Sequence, residues 1–485
     1  MFTNASISGV EHDAQTHVDD FDSDLNSSAA RHGIHHLARH GIYLGHGGNA
    51  WALAGPQCST LVLGPPRSGK TSSLVIPNIL LADGPVLSTS TKPDVMQATA
   101  PARRAEGWTF LYDPSGEVEC PPGVERVGWS PITSATDWDA AVVTADAMVG
   151  ASRSSGQRAG EHHWTERSGA LLSTLLHAAA TENLSMRDVL KWIDRHNGVP
   201  ALEILSSNAG EDAPATDLLA GIVATDSREQ SGIWSTTSGV LAAYRTEGAL
   251  ASTQAPPLDF DEFCGGANTL YLCSTGRRQR QFAPLVVAII GDTRDAAYAR
   301  THDGQAGPPT LLALDEVANI APIPDLPAMV SEGAGQGLLV LACLQDLSQA
   351  RVRWGSAADG FLSLFGTTVV LRGIADTSTL RDISALAGDR EVARTTINHS
   401  VDRWGRLRPS TSVGTNDKHR LPVDAVAHGA PGRALVLGTD KTIREVTLTP
   451  AHASSPWREL LPQAQTRAQT QVRRPGPPTG ADRGR

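Results

Sequence analysis

Short apolar runs, bounded by glycine, proline or polar residues, recur along the chain and alternate with stretches of helical character. Runs of this length between turn signals are typical of buried strands. In the first third of the chain they predict strands at 60–63, 85–88 and 109–112. Because helical patterns separate these strands, the rhythm predicts an α/β domain with a mainly parallel sheet.

Alanine-rich helical patterns replace this rhythm after residue 134. They predict helices at 137–151, 161–181, 185–195, 213–224 and 227–244. The α/β rhythm then resumes, with predicted strands at 269–273, 309–314, 337–344, 367–371 and 433–438 and helices at 282–299 and 377–386. We therefore expect an all-α domain at residues 135–255, inserted between two parts of one nucleotide-binding domain, 41–134 and 256–450.

Both ends of the chain lack apolar periodicity. Residues 1–40 are polar and acidic, and residues 451–485 carry arginines among proline, glycine and glutamine. Such compositions predict a disordered arm and a disordered basic tail. The tail is interpreted as a solvated end, with contact to nucleic acid or an anionic surface as the alternative.

Composition narrows the class of protein. The 485 residues include 41 basic and 51 acidic side chains, a net charge of −10, which excludes a generally basic surface. Any nucleic-acid contact must then come from a local patch or from a channel between subunits. Five cysteines without a C-x-x-C pair indicate reduced thiols in a cytoplasmic protein. The longest apolar runs fall short of the ~20 residues that cross a bilayer.

The first predicted strand runs directly into a phosphate-binding motif. Residues 61–72 read LVLGPPRSGKTS, in which Gly64, Gly69, Lys70 and Thr71 match G-x-x-x-x-G-K-[ST]. Such a loop turns backbone N–H groups toward a polyphosphate, while its lysine reaches the β- and γ-phosphates and its hydroxyl binds Mg²⁺. The alternative is a Gly/Pro turn with an incidental lysine. The candidate nucleotide-binding residues are Gly64, Pro65, Pro66, Arg67, Ser68, Gly69, Lys70, Thr71 and Ser72.

Two further strands end in residues suited to ATP hydrolysis. The strand at 309–314 ends at Asp315 and Glu316, which predicts an aspartate that holds Mg²⁺ through water and a glutamate that orients or deprotonates the attacking water. The strand at 337–344 ends at Gln345, a candidate sensor of the γ-phosphate or, alternatively, a cap of the following helix. The catalytic candidates are thus Lys70, Asp315, Glu316 and Gln345, and the metal candidates are Thr71 and Asp315.

Eight motifs resemble the conjugative coupling proteins of type IV secretion, the TraG/TraD-type ATPases. The likeness covers residues 41 to about 445, and the motifs read GIYLG (41–45), PPRSGKT (65–71), IPN (76–78), STKPD (90–94), YDP (112–114), WSP (129–131), LDEVAN (314–319) and QDLSQ (345–349). The resemblance implies a RecA-like P-loop domain interrupted by an all-α domain, a hexameric ring, and ATP and Mg²⁺ as cofactors. It also implies partners: a relaxase bound to single-stranded DNA or a secreted protein, and the proteins of the export channel.

The sequence departs from the family pattern in two places. Members usually begin with two membrane-spanning helices, which this sequence does not show. We therefore expect a cytoplasmic subunit, peripheral at the inner face of the membrane through a partner, unless the start of the reading frame is missing. Relatives also often carry an arginine that acts on a neighbouring subunit in the turn that here reads GAGQG (333–337). The remaining candidates for that role are Arg351, Arg353 and Arg372. The alternative interpretation is that these three are ordinary surface arginines.

Three functions remain open at this stage. The first is a translocase that moves single-stranded DNA or protein into a type IV channel. The second is an FtsK/HerA-like pump that acts on duplex DNA. The third is a nucleotide-switched docking platform without processive movement.

Overall fold

The computed structural model describes residues 41–48, 50–152, 161–208, 213–274, 278–401, 407–438 and 442–462. The predicted arm at 1–40 and the part of the predicted tail after residue 462 lie outside the described residues. The strands are β1 (Tyr43–Gly47), β2 (Ala50–Leu53), β3 (Thr60–Leu63), β4 (Val86–Ser90), β5 (Thr109–Tyr112), β6 (Glu125–Arg126), β7 (Thr269–Cys273), β8 (Thr310–Leu314), β9 (Leu338–Leu344), β10 (Thr367–Leu371), β11 (Asp389–Val401), β12 (Leu407–His419), β13 (Arg433–Gly438) and β14 (Ile443–Thr447).

The helices vary in length from single turns to 24 residues. They are α1 (Ile76–Leu81), α2 (Asp94–Arg103), α3 (Trp138–Ser152), α4 (Glu161–Thr181), α5 (Met186–Asp194), α6 (Val199–Ser207), α7 (Ala213–Val223), α8 (Ser227–Val240), α9 (Glu247–Ser252), α10 (Phe260–Cys264), α11 (Gln279–His302), α12 (Val317–Ile320), α13 (Leu326–Glu332), α14 (Leu347–Trp354), α15 (Phe361–Leu364), α16 (Thr377–Ala387), α17 (Val423–Ala427) and α18 (Trp457–Leu460). A π-helical turn, Thr71–Val75, precedes α1.

One mixed sheet organises the α/β part of the chain. Its order is β2-β1-β14-β13-β10-β3-β9-β8-β4-β7-β5-β6. The strands from β10 to β6 pair in parallel, whereas β13, β14, β1 and β2 extend the sheet in antiparallel fashion. The central strands are buried along their whole length, as expected for a parallel sheet covered by helices on both faces. The predicted fold class is therefore confirmed.

The helical segment leaves the sheet after β6 and returns before β7. Its described residues between 138 and 252 form only helices and turns. β7 then inserts between β4 and β5 and pairs in parallel with both. The helical segment is therefore an insertion between two strands of one sheet. Sequence patterns did not predict α6, whose proline lies in its first turn, where the missing N–H costs no helical hydrogen bond.

A buried carboxylate joins the long helix α11 to the segment that leads into the helical domain. Asp292 of α11 accepts hydrogen bonds from Trp129 Nε1 at 2.6 Å and Ser134 Oγ at 2.7 Å. Burial raises the pKa of Asp292 to about 6, although both hydrogen bonds oppose the shift. The folded protein therefore holds a charged carboxylate that is largely withdrawn from solvent at neutral pH.

Two regions differ from the sequence-based expectation. Between residues 387 and 450 the sequence predicted only the strand at 433–438, but the structure also contains the paired strands β11 and β12, thirteen residues each, and the strand β14. Threonine, valine and isoleucine are frequent in β11 and β12, and their β-branched side chains favour the extended conformation.

The prediction of a disordered tail from residue 451 is wrong for residues 451–462. Trp457 of α18 is fully buried. Its ring stacks on Trp51 with centroids 5.0 Å apart and meets Tyr43 edge-on at 5.3 Å. Ala451 and Leu460 complete a small core with Leu80 and Leu81, so the apolar contacts offset the entropy lost on ordering.

The length and apolar character of the helices bear on membrane insertion. Among the residues described, no helix is both long enough and apolar enough to span a bilayer.

Replacing Asp292 with asparagine tests the burial of its charge. The folded protein takes up a proton at Asp292 near pH 6, whereas an unfolded aspartate does so near 3.8. The wild-type carboxylate thus costs stability above pH 6, and this cost shrinks as the pH falls. Asp292→Asn keeps an acceptor oxygen but carries no charge. We expect its free energy of unfolding to gain about 1.4 kcal/mol relative to wild type between pH 5 and pH 8, measured by urea unfolding.

The exposed carboxylate of Asp303, which follows α11, supplies the control. Asp303→Asn should change stability by less than about 0.5 kcal/mol across that pH range. An Asp292→Asn difference that does not depend on pH would contradict the assignment.

Candidate nucleotide-binding site

A backbone hydrogen bond fixes the start of the loop between β3 and the π-helical turn, and two left-handed residues shape its end. The N–H of Gly64 donates to Leu344 O at 3.1 Å, which fixes the start of the loop against the end of β9. Arg67 and Gly69 adopt left-handed conformations, with φ of 63° and 100°. The loop thereby reverses direction and enters the turn that leads to α1, as predicted for a phosphate-binding loop.

Gly64 lies where no larger residue fits. A Cβ atom at this position would lie 2.7 Å from Ser68 Oγ and 2.9 Å from Leu371 Cβ. Ser68 Oγ is itself buried and forms no hydrogen bond within the described part of the chain. The first glycine of the motif thus allows the loop to fold closely over the ends of β3 and β10.

The lysine of the motif extends across the loop. Lys70 is only 9% exposed, and its Nζ donates to the carbonyl oxygens of Gly64 and Pro65, the latter at 3.0 Å. The ammonium group is therefore held at the mouth of the loop, where a polyphosphate would meet it.

The two halves of the predicted site meet at Thr71 and Asp315. Thr71 Oγ1 donates to Asp315 Oδ2 at 2.7 Å, although 244 positions separate the two residues. Asp315 follows β8 and is 9% exposed. Burial raises the pKa of Asp315, and the hydrogen bond from Thr71 and the charge of Lys70 partly oppose this shift. A hydroxyl and a carboxylate so placed fit the oxygen-ligand preference of Mg²⁺.

Glu316 occupies a conformation that the sequence did not reveal. Its φ and ψ are 55° and 47°, in the left-handed region that non-glycine residues seldom adopt. β8 therefore ends abruptly, and α12 begins at the next residue. Left-handed residues of this kind concentrate at functional sites, where the surrounding structure maintains the strain.

Gln345 follows β9, next to the strand that carries the phosphate loop. Its backbone N–H donates to Gln349 Oε1 at 3.0 Å. Asp346 caps α14, because its side chain accepts hydrogen bonds from the N–H groups of Ser348 and Gln349. The alternative that Gln345 caps this helix is therefore wrong, and its side chain has no capping role to fill.

The other predicted loop residues line the outer side of the loop. Pro65, Pro66, Arg67 and Ser68 border a cleft that also contains Arg372 and Gly373, which follow β10, and residues 427–429. Ser72 Oγ lies 3.5 Å from Gly69 O, at the start of the turn. The contribution of residues 427–429 was missed, because no sequence motif marks them.

The three candidate arginines differ in their surroundings. Arg351 forms ion pairs with Asp359, Asp376 and Asp382. Arg353 donates to the carbonyl oxygen of Ala151 at the end of α3. Burial and, to a smaller extent, the nearby charge of Arg280 together lower the pKa of Arg353 to about 10. Arg372 is exposed and borders the cleft beside its own phosphate loop.

This fold and this arrangement define a RecA-like P-loop protein with an all-helical domain. The family model described as the TraM recognition site of TraD and TraG matches residues 309–427. No curated protein matches the chain in sequence. The match to the family model and the fold confirm the resemblance to TraG/TraD-type coupling proteins.

Solved structures of conjugative coupling proteins share this fold. The unbound bacterial conjugative coupling protein TrwBdeltaN70 aligns with a TM-score of 0.63 and 16% identity over 87% of this chain and 92% of that one. The plasmid coupling protein TrwB in complex with ADP and Mg²⁺ gives 0.60 and 18% over 81% and 85%. Its complex with a non-hydrolysable ATP analogue gives 0.60 and 17% over 81% and 86%.

Replacing Gly64 with alanine tests the close approach of the loop. The added methyl group must displace Ser68 and the Cβ of Leu371, and forced packing of this kind typically costs about 1–3 kcal/mol. We expect Gly64→Ala to lower the free energy of unfolding by that amount in urea titrations. Gly335→Ala, where an added Cβ meets nothing within 4 Å, is the control and should change stability by less than about 0.5 kcal/mol. Equal stability of both variants would show that the loop accommodates a methyl group at residue 64, which contradicts the close approach.

Proposed function

We propose that this protein is an ATP-hydrolysing coupling protein that recruits DNA, as a relaxase-bound single strand, or a secreted protein and drives it into a type IV secretion channel. The hydrogen bond between Thr71 and Asp315 carries the proposal, because it joins the phosphate loop to the acidic pair. The fold shared with coupling proteins and the matched TraD/TraG region support it.

Each candidate residue has a distinct role in this proposal. The loop residues 64–72 hold the phosphates, and Lys70 neutralises their charge. Thr71 and Asp315 would hold Mg²⁺, which supplies positive charge to the phosphoryl oxygens when bound. Glu316 orients the attacking water and accepts its proton, and Gln345 contacts the γ-phosphate and reports its presence.

The region that matches the family model extends the proposal to partners. Residues 309–427 run from β8 to α17 and include both catalytic strand ends and the ribbon of β11 and β12. Because that model is described as a recognition site for TraM, we propose that this region docks a component of the DNA-processing complex. A homo-hexameric ring, anchored at the inner face of the membrane through a partner, completes the proposal and rests on the family resemblance.

Two substitutions test the ATPase assignment. Lys70→Ala should abolish ATP hydrolysis, because the charge at the mouth of the loop is lost. Glu316→Gln should retain bound ATP but lower turnover by at least about 100-fold, in line with the usual contribution of a general base. Hydrolysis is measured by phosphate release and binding by calorimetry. Lys191→Ala and Glu332→Gln, both at exposed positions, serve as controls with wild-type activity. Wild-type turnover in Glu316→Gln would remove Glu316 from its role.

The response to nucleic acid distinguishes the three functions. We expect single-stranded DNA to stimulate ATP hydrolysis several-fold and more than duplex DNA, because a channel for single strands binds unstacked bases and backbone together. Stimulation should weaken with added salt as counterion release requires. Preferential stimulation by duplex DNA would favour an FtsK/HerA-like pump, and slow turnover unaffected by any DNA would favour a docking platform.

A further inference from the structure

The carboxyl end of β4 carries a buried threonine that belongs to none of the eight motifs. Thr89 is 0% exposed, and its Oγ1 donates a hydrogen bond to the backbone carbonyl oxygen of Asp315 at 3.4 Å. That carbonyl belongs to the peptide group that joins Asp315 to Glu316. We propose that Thr89 is a positioning residue for ATP hydrolysis: its hydroxyl holds this peptide group and thereby directs the Glu316 side chain toward the attacking water.

The register of the sheet places Thr89 beside the junction of β8 and α12. β4 pairs in parallel with β8, and Thr89 lies opposite Leu314, the last residue of β8. Asp315 is the next residue along the chain, so its carbonyl group lies within reach of a side chain at the end of β4. On its other edge β8 pairs with β9, the neighbour of the strand that carries the phosphate loop. Thr89 therefore contacts the acidic pair from the side away from the phosphate loop.

The backbone sets the direction of the Glu316 side chain. Glu316 precedes α12, but its side chain caps no N–H group of that helix. Its left-handed conformation, with φ of 55°, is unfavourable for a residue with a Cβ atom, so contacts with neighbouring groups must maintain it. The peptide group that Thr89 contacts directly precedes Glu316. Rotation of this group would change the φ of Glu316 and, with it, the direction of the carboxylate.

Asp315 is held at its side chain and at its backbone. Thr71 donates to the carboxylate at 2.7 Å, whereas Thr89 donates to the carbonyl oxygen. The first hydrogen bond belongs to the proposed metal-binding half of the site, and the second to the half that activates water. Loss of the Thr89 hydroxyl should therefore impair the catalytic step and leave the Mg²⁺ ligands in place. Hydrogen bonds at catalytic sites often shorten only in the reacting complex, which is consistent with the length of 3.4 Å.

β4 also supplies a matched control for the removal of one hydroxyl group. Ser88 is 1% exposed, and its Oγ is buried without a hydrogen-bond partner in the described part of the chain. Because successive side chains of a strand point to opposite faces of the sheet, Ser88 and Thr89 share their burial but not their surroundings. Ser88→Ala thus removes a buried hydroxyl from the same strand and leaves the contact with Asp315 intact.

Steady-state ATP hydrolysis by the full chain with Mg²⁺ tests the assignment. Thr89→Val keeps the shape of the side chain but donates no hydrogen bond. We expect it to lower kcat by at least about tenfold, a part of the roughly 10²–10⁴-fold that a general base contributes. The KM for ATP and the Mg²⁺ concentration at half-maximal rate should stay within about twofold of wild type. Thr89→Ala is the second hydroxyl-free variant and should behave alike, whereas Thr89→Ser and Ser88→Ala should keep kcat within about twofold of wild type.

A double variant decides whether Thr89 acts through Glu316. In Glu316→Gln the group that Thr89 directs is already inactive, so the addition of Thr89→Val should lower the residual rate by less than about twofold. A further loss of about tenfold would overturn the assignment. So would a rise in the Mg²⁺ requirement that matches the fall in kcat, since Thr89 would then act through Asp315. Loss of turnover in Thr89→Ser equal to that in Thr89→Val would also overturn it.

The assignment rests on the proposed ATPase function, and the two can fail separately. If the wild-type chain hydrolyses no ATP, or if Glu316→Gln retains wild-type turnover, the proposed function itself fails. If those two proteins behave as proposed and Thr89→Val retains wild-type kcat, only the role of Thr89 is overturned.

Discussion

The candidate site depends on one short contact, the hydrogen bond from Thr71 to Asp315. Neither residue would meet the other without the parallel register of β3, β9 and β8, which places the carboxyl ends of these strands at one edge of the sheet. In open α/β sheets, ligands bind at this edge. The order of the strands, rather than either motif alone, therefore brings the phosphate loop and the acidic pair into one site.

The same constraint explains how a helical domain can interrupt the chain. The chain leaves the sheet after β6, at the edge furthest from the phosphate loop, and returns through β7, two strands further in. None of the strands that border the loop is disturbed. The hydrogen bonds of Asp292 with Trp129 and Ser134 tie the departing segment to α11, the helix that follows β7. The inserted domain thus begins from a fixed position beside the central sheet.

Sequence patterns correctly predicted the elements that can be recognised from their own residues. The strands at 60–63, 109–112, 269–273 and 367–371 have the predicted bounds, because a buried parallel strand is a continuous apolar run between turns. The tail after residue 450 was misjudged because Trp457 is ordered by Trp51, a partner some four hundred positions earlier in the chain. Likewise, the left-handed conformation of Glu316 reflects how β8 and α12 join, and no residue in the LDEVAN motif indicates it.

The position of the site within the sheet also bears on how neighbouring subunits could influence it. An arginine that acts on another subunit's nucleotide must project away from its own chain. Arg351 would first have to leave three carboxylates, and Arg353 is largely enclosed beside Ala151. Arg372 borders the cleft beside its own loop, on the opposite side from Glu316 and Gln345. Arg351 and Arg353 are therefore engaged within their own chain, whereas Arg372 is exposed beside the cleft. The phosphate loop is itself joined to the end of β9, next to Gln345, by the hydrogen bond from Gly64 N–H to Leu344 O.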